Sequence, residues 1–209
     1  MPLEKIVTEQ DWGWALWRIT EDADTLARQL PTGETLPDSL THPIKKIEWL
    51  AGRRLLTELF DGLSLTFRGV TKDEFGKPFP TGHDHHISLS HSYPFVAALV
   101  NKRGPAGIDL EQPKMKLFRV AHRIFHRDEL KDAANDLTKH CIYWCAKEAL
   151  LKVYGKKHLT FAEHLLIDAF QIAEEGDIRG RIIADGRETV VPLHYVVSPG
   201  FVMVFNHPH

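Results

Sequence analysis

Apolar residues recur along this chain at two different periods. Between Pro43 and Phe60, the residues Ile44, Ile47, Ala51, Leu55 and Leu59 fall three or four apart, which lays one apolar stripe along a long helix. Pro43 suits its first turn, and Asp61-Gly62 ends it. Residues 117–132 and 138–154 read as further helices, and residues 21–30 as a short one opened by acids. Elsewhere the period shortens. Residues 12–20 (WGWALWRIT) predict an aromatic strand, residues 87–90 and 95–100 a hairpin turning at HSYP, and GIDLE at 107–111 another strand. From Leu165 onward, LIDAFQI, RGRIIAD, VPLHYVV and FVMVF predict four more. Residues 63–82, with FGKPFP at 75–80, read as short strands and turns.

These strands sit in hairpins more than between helices. The expected class is therefore α+β with antiparallel or mixed sheets, not a doubly wound sheet. NKRGP at 101–105 is the best internal boundary. It divides the chain into an N-terminal lobe, 1–103, and a C-terminal lobe, 104–209, each expected to pack a sheet against one long helix.

Composition narrows the function classes without choosing one. With 209 residues, 43% of them hydrophobic and 26% charged, the chain can bury a core of ordinary size. A formal net charge of -2 gives no bulk electrostatic case for a nucleic-acid partner. MPLEKIVTEQ lacks a basic segment followed by an apolar one, and the longest apolar run, Phe95 to Val100, is far too short to span a bilayer. The expectation is a cytoplasmic protein without a membrane partner. Cys141 and Cys145, four apart on a helix, project in parallel, which suits packed core thiols better than a disulfide.

Three segments carry candidate chemistry in a fixed order: ISLSHS at 87–92, GIDLE at 107–111 and WCAKEALLK at 144–152. In a strand, residues i and i+2 share a face, so Asp109 and Glu111 point together. Carboxylates roughly 7 Å apart repel by about 2 kcal/mol at an effective dielectric near 20, which a cation between them relieves. Hard oxygen ligands suit magnesium. An exposed acidic strand end is the plainer reading of the pair. Trp144, Glu148 and Lys152 recur at i, i+4, i+8 and lie close to one helix face. If that face meets Asp109 and Glu111, then Glu148 supplies a third carboxylate and Lys152 a cation for a transferring phosphoryl group. Alone, Glu148 and Lys152 form a surface pair.

Lys46, Trp49 and Arg53 follow one stripe of the first long helix, where Arg53 reads as a phosphate grip or as part of a solvated face. His91, placed after Ser88 and Ser90, can point a donor at a ligand or bond the backbone of its turn. Lys77 lies in a Gly-Lys-Pro turn. His83, His85 and His86, with His207 and His209 at the end, read as loop and terminal histidines without a role.

At these residues the chain resembles the 4′-phosphopantetheinyl transferase superfamily, in its larger single-chain type with two pseudo-symmetric lobes. The pattern is Gly76-Lys77-Pro78, then Ser90-His91-Ser92, then G-x-D-x-E from Gly107 to Glu111, then W-x-x-K-E-A-x-x-K from Trp144 to Lys152. It covers about residues 43–160, and the ordered set is more specific than any one motif. Ser88 and Leu89 stand where the family often has Asn and a variable residue before S-H-S.

The resemblance implies lobes related by a pseudo-two-fold. It also implies transfer of the phosphopantetheine arm of coenzyme A to a serine of an apo acyl or peptidyl carrier protein, with adenosine 3′,5′-bisphosphate as the other product. On the same grounds Asp109, Glu111 and Glu148 would bind magnesium, or manganese in its place. Glu148 would also take the serine proton, and Lys152 would hold the pyrophosphate. His91 and Arg53 would grip phosphates of coenzyme A, chiefly the 3′-phosphate, with Ser90 and Lys77 in the nucleotide-binding elements. Two other classes use the same residues: a non-catalytic coenzyme A binder, and a metal-dependent phosphohydrolase that needs no carrier. Residues 112–130 would offer a carrier an apolar patch (Met115, Leu117, Phe118, Val120, Phe125) beside Lys114, Lys116, Arg119 and Arg123, or form an ordinary amphipathic helix.

Overall fold

The computed structural model describes residues 2–31, 33–156 and 158–207. His209 therefore lies outside the described residues. The chain divides into two compact units, Met1–Ala106 and Gly107–His209. Both are α+β, and every described strand pair is antiparallel.

The N-terminal unit runs β1 (Leu3–Thr8), β2 (Trp12–Arg18), α1 (Ala23–Ala27), α2 (Pro43–Gly62), β3 (Val70–Lys72), β4 (Pro78–Pro80), β5 (His86–Ser92) and β6 (Phe95–Asn101). Its main sheet has the order β1-β2-β6-β5, with β3 and β4 as a separate ribbon. The apolar stripe of α2 explains why the helix lies on this sheet. Ala51, Leu55 and Leu59 are fully buried against Val96, Ala98 and Val100 of β6, and each buried leucine contributes about 1.5–3 kcal/mol. The stripe starts later than its spacing predicts, because Ile44 in the first turn stays 42% exposed. β1 is an element that the pattern does not predict. It is an edge strand, exposed or half-buried along its whole length, so its alternation carries little contrast.

The C-terminal unit runs β7 (Ile108–Glu111), α3 (Lys116–Ile124), α4 (Arg127–Ala133), α5 (Leu137–Tyr154), α6 (Phe161–His164), β8 (Leu165–Ile167), β9 (Glu175–Ala184), β10 (Arg187–Ser198) and β11 (Phe201–Asn206). The sheet order is β7-β11-β10-β9-β8, which leaves the acidic strand β7 at an edge. The single helix expected over 117–132 is two. Phe125 is extended, and His126 opens α4 with a capping box in which the Glu129 carboxylate accepts the His126 N–H at 2.7 Å. LIDAFQI yields only the short β8. Past Ile167, Phe170 leaves the strand to pack between Tyr143 and Tyr195, with ring centroids 5.2 and 5.6 Å away.

Candidate active site

In the C-terminal unit the geometry starts at Gly107. A Cβ there would lie 2.2 Å from the Ala149 carbonyl oxygen and 2.7 Å from Val153 Cγ2, so only glycine lets α5 come this close to the strand. Two free, buried thiols add to the seam. Cys141 Sγ donates to the Glu111 carbonyl at 3.6 Å, and Cys145 Sγ to the Val202 carbonyl at 3.7 Å. The ends of α5 are fixed by Asp136, which accepts Lys139 N–H at 2.9 Å, and by Gly155 in the left-handed region.

This close approach brings three of the predicted residues together. Lys152 Nζ donates to Asp109 Oδ1 at 2.8 Å and to the Ile108 carbonyl at 2.7 Å. Burial, and after it the charge of Asp109, push the Glu148 carboxyl up to about 7, against the pull of Lys152. Glu111 is placed on Asp109's side of β7 by strand alternation. Its Oε2 accepts Lys116 Nζ at 2.9 Å, and its Oε1 accepts the Gln112 N–H at 2.9 Å. Trp144 turns toward α6 and stacks on Phe161 at 6.5 Å.

Among the described residues, no three His, Cys, Asp or Glu side chains converge tightly enough to enclose a metal ion. The donors still suit magnesium in kind. That ion takes one or two carboxylates beside substrate phosphates, and Asp109 and Glu148 are two carboxylates with one lysine near them.

Lys147, the neighbour of Glu148, has a role that the spacing did not reveal. It is fully buried and donates to Glu129 Oε2 at 2.8 Å and to the carbonyls of Phe161 and Leu165. Glu129 Oε1 accepts Ile167 N–H at 2.8 Å. Burial raises Glu129 and lowers Lys147, and their mutual attraction opposes both shifts. This buried pair ties α4, α5 and the β8 segment together.

The N-terminal unit holds a cavity of about 250 Å³ lined by Lys45, Glu48, Trp49, Arg53, Lys72 and His91. Arg53 is no solvated side chain. It is 8% exposed, its guanidinium lies 4.4 Å over the Trp49 ring, and its Nε donates to Glu34 Oε2 at 3.0 Å. Glu34 Oε1 in turn accepts Val70 N–H at 2.6 Å, which ties β3 to the arginine. Lys45, not Lys46, reaches the cavity. Gly76 and Pro78 line it, with Lys77 half-buried between them and its ammonium lowered by burial. Ser90 alternates to the other face of β5 from His91 and is not in the lining.

Glu48 is a second residue whose role its spacing does not reveal. It is 3% exposed and accepts from Lys45 Nζ at 2.8 Å, His91 Nδ1 at 3.1 Å and Tyr93 N–H at 3.1 Å. Burial would raise it, but the hydrogen bonds and charges of His91 and Lys45 hold it down to about 2. The loop histidines pack locally: His83 bonds the Thr66 carbonyl at 2.8 Å and stacks on His85. Of the apolar patch expected over 112–130, Leu117 and Phe125 are in the core, Phe118 and Val120 are half-buried, and Met115 is 68% exposed.

Comparison with known proteins agrees with these motifs. Residues 105–202 match the profile of the 4′-phosphopantetheinyl transferase superfamily. The 4′-phosphopantetheinyl transferase AcpT of Salmonella typhi is 31% identical over 132 residues, covering 57% of this chain and 67% of AcpT. The chain belongs to the 4′-phosphopantetheinyl transferase superfamily. The 4′-phosphopantetheinyl transferase Sfp of Bacillus subtilis is 30% identical over 145 residues, 65% of this chain, and the chain spans 61% of the length of Sfp. The 4′-phosphopantetheinyl transferase psf-1 of Bacillus pumilus is 28% identical over 123 residues, 56% of this chain and 51% of that protein. The stretch matched to the superfamily includes Asp109, Glu111, Glu148 and Lys152. Among the described residues, no helix is long and apolar enough to cross a membrane.

Proposed function

We propose that this protein transfers the 4′-phosphopantetheine arm of coenzyme A to a serine of an apo acyl or peptidyl carrier protein in the cytoplasm, releasing adenosine 3′,5′-bisphosphate. The observation that carries the reading is the meeting of Asp109, Glu148 and Lys152 across β7 and α5 in a chain of this superfamily.

The serine oxygen attacks the phosphorus bearing the pantetheine arm, and the bond from that phosphorus to the bridging oxygen breaks. Glu148, with a proton affinity near neutrality, is suited to accept the serine proton. Lys152 supplies positive charge where the departing phosphate gathers negative charge. Magnesium, or manganese in its place, would be held by Asp109 and Glu148 with Glu111 beside them, and when bound it neutralises the diphosphate. Lys45, Lys72, Arg53 and His91 would take the nucleotide phosphates, chiefly the 3′-phosphate. The exposed Lys114, Arg119 and Arg123 on and beside α3 suit an acidic carrier helix.

Incubation with magnesium, coenzyme A and a panel of apo carrier proteins tests the reading by mass spectrometry. A carrier that gains one phosphopantetheine arm supports it. Coenzyme A binding without any gain would assign a non-catalytic binder, and bisphosphate release without a carrier would assign a phosphohydrolase.

A further inference from the structure

We propose that Glu48 is the positioning residue of the N-terminal cavity: it fixes the His91 ring so that Nε2 is presented to the 3′-phosphate of an incoming nucleotide, which Glu48 itself does not touch. This rests on the nucleotide reading of the cavity given above.

A glutamate at position 48 has no packing reason to be there. The residues three and four on along α2, Ala51 and Gly52, are buried and apolar, yet Glu48 among them is only 3% exposed. Both of its oxygens are instead committed. Oε2 meets Lys45 Nζ and His91 Nδ1, and Oε1 accepts the N–H of Tyr93, two residues past His91. Glu48 thus holds the imidazole and the turn that carries it. With Nδ1 engaged, Nε2 is the nitrogen left for a ligand, as when a carboxylate fixes the tautomer and aim of a histidine. The ring needs such a tether because the His91 side chain is 43% exposed and would otherwise spread over several rotamers. Among the described residues, the charged groups that line the cavity with it are Lys45, Glu48 and Arg53 from α2 and Lys72 from β3, and Glu34 already pairs with Arg53. Three cations against one lining carboxylate keep the cavity attractive to an anion.

Calorimetric titration with adenosine 3′,5′-bisphosphate and with 5′-AMP tests this on the wild type, Glu48→Gln, His91→Ala and the double variant. Glu48→Gln is expected to weaken the bisphosphate about tenfold and 5′-AMP less than twofold. On the His91→Ala background the same change should cost nothing further. Equal losses for both ligands, or a full tenfold loss without His91, would overturn the proposal while leaving the cavity's assignment intact. A wild type that binds neither ligand overturns that assignment and the proposal with it. Should Glu48→Gln fail to fold, the ring ¹⁵N resonances of His91 in the wild type decide: a protonated, hydrogen-bonded Nδ1 at neutral pH supports the tether, and an unprotonated Nδ1 refutes it.

Discussion

Glu48, buried on α2, and Glu148, half-buried on α5, each sit on the long helix of their unit, yet the first is held at about 2 and the second pushed to about 7. Burial raises both. Cations decide the outcome. Among the described residues, Glu48 pairs with both His91 and Lys45, whereas Glu148 has the pull of Lys152, which is itself bonded to Asp109, and Asp109's charge adds to the burial penalty. The contrast separates a site whose charges are balanced within the chain from one that is short of positive charge. The cavity can order before a ligand arrives. The carboxylate pair favours either a proton or a divalent cation.

The largest test of that contrast is Glu148→Gln. It should lower transfer about 10⁴-fold, on the order of 5 kcal/mol, while the urea midpoint at pH 8 holds or rises because a poorly compensated charge is gone. Near-normal turnover would break the comparison. Next is the buried ion pair behind the helix. Lys147→Met should cost about 3–5 kcal/mol by urea unfolding because it strands Glu129, and adding Glu129→Gln, which removes the charge but keeps an acceptor for Ile167 N–H, should recover part of it.

The pH dependence of stability should run in opposite directions for the two glutamates. Between 4.5 and about 7 the folded chain keeps a proton on Glu148 that the unfolded chain releases, so stability falls as pH rises across that window, by up to on the order of 3 kcal/mol. Glu48 contributes stability above 4.5 that is lost as pH falls toward about 2. Urea titrations should show Glu148→Gln flattening the first slope and Glu48→Gln the second. Gly107→Ala should cost about 2 kcal/mol as the new Cβ meets the Ala149 carbonyl. It should also let the Glu148 pKa fall as α5 moves off the strand, which a carboxyl ¹³C titration would register. The smallest expected effect is Arg53→Ala, which should raise the KM for coenzyme A about tenfold more than for its 3′-dephospho form, near 1.4 kcal/mol. Equal effects on both would argue against 3′-phosphate contact.

Legibility in the sequence followed the range of the interactions. The stripe of α2, the hairpin of β5 and β6 and the spacing of Asp109, Glu111, Glu148 and Lys152 are local periodicities, and they read directly. The tertiary contacts of Glu48 and Glu129 do not read from spacing because those partners lie far along the chain: Tyr93 is 45 residues from Glu48, and Ile167 is 38 from Glu129. The break between α3 and α4 carried a usable local signal in His126 and Glu129, three apart at a helix start. Ser90 shows the converse, since alternation alone puts it on the other face of β5 from His91.

The account stands on Asp109 and Glu148 sharing one site short of positive charge. A carboxyl ¹³C titration of Glu148, with and without millimolar magnesium, tests this most directly. The expected midpoint is about 7 without metal, falling by at least roughly one unit when magnesium is added. A midpoint near the ordinary 4.5 that magnesium leaves unmoved would contradict it.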